Sequence, residues 1–164
     1  MTKKVCIGKI GKPHGLNGYA YVHLNEYIKS LDFKDIPVKI SREDLDIDIV
    51  KKHLKNRNLI KLKNIDTFEQ VSVYRNKNIF ADTKYFFNLK TNLPWPELFI
   101  NESIDNNYNY EIILANYHVS NLQTVLEIKV NNFVYLVPYV ESNFMFKNES
   151  LIMVNDLTVY NPVE

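Results

Sequence analysis

All four glycines of this 164-residue chain, Gly8, Gly11, Gly15 and Gly18, fall within one short window near its start. Glycine takes left-handed backbone at no steric cost and lets other groups approach closely. Concentrating every glycine in Gly8–Gly18 therefore predicts a segment whose shape a side chain would strain. The runs beside it, Val5–Ile10 and Tyr19–Leu24, are apolar-rich and short, and read as two paired strands joined by this loop. Pro13 fixes its own φ and pushes Lys12 toward extended backbone. Two uses suit such a loop. Its amides, with Lys9 and Lys12, suit an RNA phosphate; as a strand connection it needs special dihedrals alone, which is the commoner case. No Gly-Lys-Ser/Thr ending is present, and no G-x-G-x-x-G leads into a helix, so nucleotide-binding loops of those kinds are excluded.

The remaining residues predict a globular β protein. Hydrophobic residues make up 46% and charged residues 24%, far from the composition of disordered chains. Eleven Tyr and nine Phe favour strands. No apolar run precedes Gly8 and none approaches the roughly 20 residues of a membrane helix, so neither a signal peptide nor a span is expected. A single cysteine, Cys6, excludes an internal disulfide. The expected location is the cytoplasm.

Net charge is +1, but it is divided unevenly. Residues 1–92 hold 18 Lys and Arg against 10 Asp and Glu, and residues 93–164 hold 2 against 9, giving about +8 and −7. The first part suits phosphate backbones and the second a basic protein surface. Mutual attraction of the two parts, or simple drift of the chain, explains the same division.

Further strands are predicted at Pro37–Ile40, at Leu45–Val50 with Asp44, Asp46 and Asp48 on its outer face, at Leu59–Lys63 and at Asn78–Ala81. A short helical turn is expected in Asn25–Phe33. A helix start is expected at Asp66 or Thr67, with Glu69 or Gln70 completing a capping box and Phe68, Val71 and Tyr74 facing the core. These elements fit a small β-barrel over residues 1–83. Leu93-Pro94-Trp95-Pro96 cannot continue a helix, which places a linker at 84–96. Strand-like runs at Tyr110–His118, Thr124–Val130, Val134–Tyr139, Leu151–Val154 and Leu157–Tyr160 make residues 97–164 a second β unit. The fold class is all-β with one or two short helices.

No catalytic constellation emerges. His14, His23, His53 and His118 lack ligand spacing, so neither a metal nor a cofactor is expected. A Ser41–His53–Asp44 triad can be assembled on paper but has no activating context. His14, between Pro13 and Gly15, braces the loop or meets a partner, bracing being the preferred reading. Trp95, beside Glu97 and Leu98, is either a contact at the domain junction or a core anchor. Tyr19 and Tyr21 alternate on one strand; cross-strand packing is their commoner use and RNA stacking the other.

The stretch Gly8-Lys9-Ile10-Gly11-Lys12-Pro13-His14-Gly15-Leu16-Asn17-Gly18 resembles the N-terminal signature of the ribosome maturation factor RimM family. Asn58–Asp66 with Glu69-Gln70-Val71, Asn78-Ile79-Phe80, Trp95-Pro96-Glu97-Leu98 and Leu136–Val140 are similar to later blocks of that family, in the same order. The resemblance implies a six-stranded barrel followed by a PRC-type barrel. It implies a non-enzymatic, monomeric assembly factor that binds a ribosomal protein and adjacent rRNA in the head of the immature small subunit. It also implies ribosome contact or loop scaffolding by Gly8, Lys9, Gly11, Lys12, Pro13, His14, Gly15 and Gly18, and protein contact near Trp95, Glu97 and Leu98. The chain departs from the family pattern at Tyr19 and Tyr21, where Glu and Arg are usual, at Leu93 and Pro94, where an aromatic pair is usual, and at Ile100, where glycine is usual. An RNA-processing enzyme and a free-standing RNA-binding barrel are the competing classes.

Overall fold

The computed structural model describes residues 3–25, 28, 33–87, 93–104, 110–118 and 123–163, which form two compact units, Met1–Tyr85 and Phe86–Glu164. In the first, six antiparallel strands close into a barrel. They are β1 (Lys4–His14), β2 (Tyr19–Leu24), β3 (Pro37–Ile40), β4 (Glu43–His53), β5 (Arg57–Leu62) and β6 (Asn78–Asp82), in the spatial order β1-β2-β5-β4-β3-β6. The interior is filled by Ile7, Ile10, Ala20, Ile40, Ile47, Ile60, Leu62 and Ile79, each almost wholly buried.

β1 is longer than the sequence predicts, running through Gly8 and Gly11 to His14, so the loop is confined to the turn at 15–18. The physical reason is barrel closure. β1 pairs with β6 and with β2, and its register shifts between Cys6 and Gly8 against β6 and between Ile10 and Pro13 against β2. Such bulges bend a strand and raise its twist, which a small closed sheet requires. Gly8 serves close approach, since a Cβ there would lie 2.4 Å from the His23 carbonyl oxygen. Gly15 and Gly18 have φ of +67° and +72°. Open space surrounds a Cβ at Gly15, whereas at Gly18 it would lie 2.0 Å from the Ile65 carbonyl oxygen.

A further bulge corrects the reading of β4. Strict alternation puts Leu45, Ile47 and Ile49 on one face, but the register shifts between Ile47 and Ile49. Ile47 is fully buried while Ile49 is exposed, and Lys51 and His53 follow Ile49 to the outside. One extra residue reverses the parity of the rest of a strand.

The single α-helix among the described residues, α1 (Phe68–Ser72), starts at Thr67. The capping box is the Thr67–Gln70 pair: Gln70 N–H donates to Thr67 Oγ1 at 3.2 Å, and Thr67 N–H to Gln70 Oε1 at 3.1 Å. Val71 and Tyr74 are buried as expected, but Phe68 is exposed, because a one-turn helix covers the barrel with one side only. The Tyr74 hydroxyl donates to Glu43 Oε2 at the start of β4. Burial, reinforced by that bond to a carboxylate, pushes the Tyr74 hydroxyl up to about 12. Of the Asn25–Phe33 stretch only Asn25, Ile28 and Phe33 are described; Ile28 and Phe33 are buried, and the rest of the expected helical turn lies outside the described residues.

The second unit carries a five-stranded sheet, β7 (Ser103–Ile104), β8 (Tyr110–His118), β9 (Gln123–Val130), β10 (Phe133–Pro138) and β13 (Pro162–Val163), in the order β13-β10-β9-β8-β7, with a hairpin of β11 (Phe144–Lys147) and β12 (Ser150–Met153). Leu126 and Ile128 on β9 pack inward against Ile112 and Val137, with Trp95, Phe144 and Leu151 completing the core. Leu157–Val159, expected as a strand, is a 3-10 turn because Asp156 caps it, Oδ1 accepting from Thr158 N–H at 2.9 Å. The end of the 84–96 stretch is held inside this unit: the Tyr139 hydroxyl donates to the Pro94 carbonyl at 2.7 Å, and the Trp95 ring meets Phe86 edge to face.

Left-handed backbone is not confined to glycine. Among the described residues, ten with side chains have positive φ, five of them Asn: Asn64, Asn76, Asn101, Asn131 and Asn148. Asn tolerates this region better than other residues with a side chain.

Two outcomes follow for stability. Gly15→Ala meets backbone strain alone and should lose about 1–2 kcal/mol, whereas Gly18→Ala adds a backbone clash and should lose about 3 kcal/mol or more, as read by urea denaturation. A hydroxyl whose folded-state pKa is raised stabilises the fold fully below its ordinary value near 10 and ceases to do so above the shifted one. Unfolding free energy should therefore fall between pH 10 and about 12, and Tyr74→Phe should remove that part of the decline.

Candidate nucleic-acid interface

Directly opposed residues of antiparallel strands share a face, and the register of the first barrel lines up a distinctive outer layer. His14 opposes Tyr19, Tyr19 opposes Lys61, and Lys61 opposes Ile49. In the next rows Tyr21 opposes Leu59, Leu59 opposes Lys51, and His53 opposes Arg57. The β4 bulge makes this possible by bringing Lys51 and His53 outward.

Rings and cations cover one another across these strands. The His14 ring lies 5.2 Å from Tyr21 and 4.6 Å from His53, centroid to centroid, and Tyr21 lies 5.9 Å from His53. Lys51 Nζ sits 4.3 Å from the centre of the Tyr19 ring, Lys61 Nζ 5.9 Å from the same ring, and the Arg57 guanidinium 5.4 Å from Tyr21. Ammonium and guanidinium groups at this range are attracted to the negative ring face. The layer is thick enough to hide Leu59, which points outward by register yet is only 2% exposed.

Lys61 ties this layer to the turn. Its ammonium donates to the Ile65 carbonyl and to Asp66 Oδ1, both at 2.7 Å. That carbonyl is the one against which Gly18 packs.

Beside the layer lies a concavity of about 470 Å³, bordered by Lys12, Tyr21, His23, Arg57 and Arg75 and by Asn56, Asn58 and Asn76. A second concavity of about 550 Å³, on the β3–β4–β6 side, mixes charges. There Lys4 lies 3.8 Å from Asp44 and Lys84 3.9 Å from Asp82, and Lys63 lies 2.6 Å from Asp35. Lys63 holds the Asp35 carboxyl below its usual range through their hydrogen bond, and Asp35 in turn raises the Lys63 ammonium.

The glycine-segment candidates divide accordingly. Lys9 is exposed opposite His23, Lys12 is exposed at the bulge, Pro13 pairs with Ala20, and His14 is half-buried within the ring cluster. Gly8, Gly11 and Gly18 permit close packing, and Gly15 shapes the turn. Trp95 and Leu98 are 1% and 2% exposed, so they anchor the core of the second unit and offer a partner no surface. Glu97, in the 3-10 turn Pro96–Phe99, is partly accessible. Ser41, Asp44 and His53 do not converge: Asp44 and His53 lie toward opposite ends of β4, roughly 30 Å apart at the usual strand rise. No group of three or more His, Cys, Asp or Glu able to hold a metal ion occurs among the described residues.

Lys51, His53, Arg57 and Lys61 escape a reading from sequence. Their outward spacing is visible in Lys51/His53 and in Arg57/Leu59/Lys61, but uniting them with Tyr19 and Tyr21 requires the strand order and the β4 bulge.

Taken together, the first unit is a small closed antiparallel barrel bearing a cation–aromatic outer face. Residues 5–85, nearly the whole of this unit, match the family described as the RimM N-terminal domain. Among solved structures, the chain is similar to the N-terminal domain of RimM from Thermus thermophilus, at 14% identity over 50% of this chain and 92% of that one, with a TM-score of 0.43. It is also similar to a Pseudomonas aeruginosa structure named as a putative 16S ribosomal RNA processing protein RimM, at 14% identity over 95% of this chain and 99% of that one, with a TM-score of 0.47. No curated protein matches. No helix among the described residues is long and apolar enough to cross a membrane.

The clamp at Lys61 yields a test. Lys61→Ala leaves the Ile65 carbonyl without this donor and should cost about 1–2 kcal/mol in chemical denaturation, more than Asp66→Ala, which removes a largely exposed carboxylate.

Proposed function

We propose that this chain is a non-enzymatic ribosome maturation factor that binds the head of the immature small subunit, meeting rRNA through its first unit and a basic ribosomal protein through its second. The observation that carries the reading is the cation–aromatic face on a barrel that matches the RimM N-terminal domain. Lys51 and Arg57 are exposed there and suit a phosphate backbone. The excess of acidic residues in 93–164 supports the second contact, since a negative surface steers a basic partner. The domain reading that goes with this is a RimM-type barrel over 1–83, a linker at 84–96 and a PRC-type barrel over 97–164.

Sucrose-gradient sedimentation tests the proposal. The full chain should travel with precursor small subunits and be absent from polysomes; a polysome position overturns it. Metal-dependent cleavage of precursor rRNA by the pure protein would establish the enzymatic alternative instead.

A further inference from the structure

Two concavities on the first barrel differ in charge: one neutralises itself and the other does not. On the β3–β4–β6 side, each of three lysines has a carboxylate within 4.0 Å. The 470 Å³ concavity near the β4–β5 turn has three cations on its wall, Lys12, Arg57 and Arg75, and no carboxylate. Among the described residues none of these three is held in an ion pair, and all are exposed. A concave site with uncompensated positive charge favours a polyanion.

Its other wall selects among polyanions. Tyr21 presents a half-buried ring steadied by His14 and His53, with the Arg57 guanidinium over it. Aromatic rings and guanidinium planes are the surfaces on which unpaired bases stack. Asn56, Asn58 and Asn76 line the same space, and an asparagine amide both donates and accepts, as base edges require. Asn76 is fixed by left-handed backbone, φ 64°, and its N–H donates to the Ile10 carbonyl at 2.8 Å. On the opposite rim Leu54 and Lys55 hold the turn before Asn56 in left-handed backbone too, at φ 43° and 50°. The volume lies in the range of about 300–1,000 Å³ usual for small-ligand sites.

We propose that this concavity binds one unpaired nucleotide of single-stranded RNA. The base stacks on the Tyr21–Arg57 pair, Asn56 and Asn76 contact its edge, and Lys12 and Arg75 reach the flanking phosphates. The inference rests on the reading that the first unit meets RNA, and adds that the RNA is unpaired at this point. Base-paired RNA keeps its bases within the helix and offers Tyr21 nothing to stack on.

Fluorescence anisotropy of the full chain with a labelled twelve-nucleotide oligouridine, and with an RNA duplex of equal length, tests it. The single strand should bind more tightly than the duplex. Tyr21→Leu should weaken the single strand about tenfold, the size of one lost base stack, and leave the duplex unchanged. Tyr21→Phe should restore the affinity. Arg75→Ala, on an exposed position that leaves the ring cluster intact, should lower the salt dependence of single-strand binding by about one ion. Equal affinity for strand and duplex overturns the proposal, as does single-strand binding that Tyr21→Leu leaves intact in a protein with native circular dichroism. So does preference for an acidic peptide over RNA. Retained sedimentation of Tyr21→Leu with precursor subunits, alongside unchanged strand binding, overturns the nucleotide site alone; loss of sedimentation by the wild-type chain overturns the broader reading.

Discussion

The contact on which the first unit depends is the seating of Gly18 against the Ile65 carbonyl. The β1–β2 turn can lie flat on the loop that follows β5 only because residue 18 has no side chain. That carbonyl also receives the Lys61 ammonium, and the same ammonium reaches Asp66, next to the Thr67 cap of α1. A turn, a strand and a helix start thus meet at one oxygen. Since Lys61 also lies over Tyr19, the outer layer inherits its position from this junction.

The outer layer is the second consequence of irregular strands. In a barrel of ideal strands the outward positions of β4 are Asp44, Asp46, Asp48, Val50 and Lys52, and Lys51 and His53 would face inward, away from Tyr19 and Tyr21. The bulge after Ile47 reverses the parity, so that one strand shows carboxylates at its start and Lys51 and His53 at its end. A single strand thereby serves a charge-balanced surface at its start and a cationic one at its end. The cation–ring contacts then stabilise side chains that would otherwise repel one another, because each cation is paired with a ring face.

Much of this was legible in the residues themselves. Strands at Pro37–Ile40, Tyr110–His118 and Asn78–Ala81 declare themselves by β-branched and aromatic runs, and the Thr67–Gln70 box by its spacing. The family signature in Gly8–Gly18 was legible too, although its geometry was not: whether a glycine serves a turn or a bulge depends on what lies across the strand, and for Gly8 that is the His23 carbonyl. Short pairings such as β7 and β13 hold two residues each, too few for periodicity to register. Trp95 looked as much like a contact as an anchor, since both uses favour a large amphipathic ring; its burial against Phe86 decides for the anchor. The interface was least legible of all, because its members come from four strands whose order no local pattern encodes.

The asparagine corners bear on how such a protein changes over evolutionary time. Where a turn needs left-handed backbone and has open space, as at Asn131 and Asn148 in the hairpins of the second unit, Asn, Gly and Asp are nearly equivalent, and identity at the position is free to drift. At Gly8 and Gly18 a neighbouring carbonyl occupies the place of a Cβ, and no other residue satisfies it. Ancestry is therefore written in letters where backbone touches backbone, and only in shape elsewhere. In the first unit two of the four glycines are held in this way, and their positions are the least free to change.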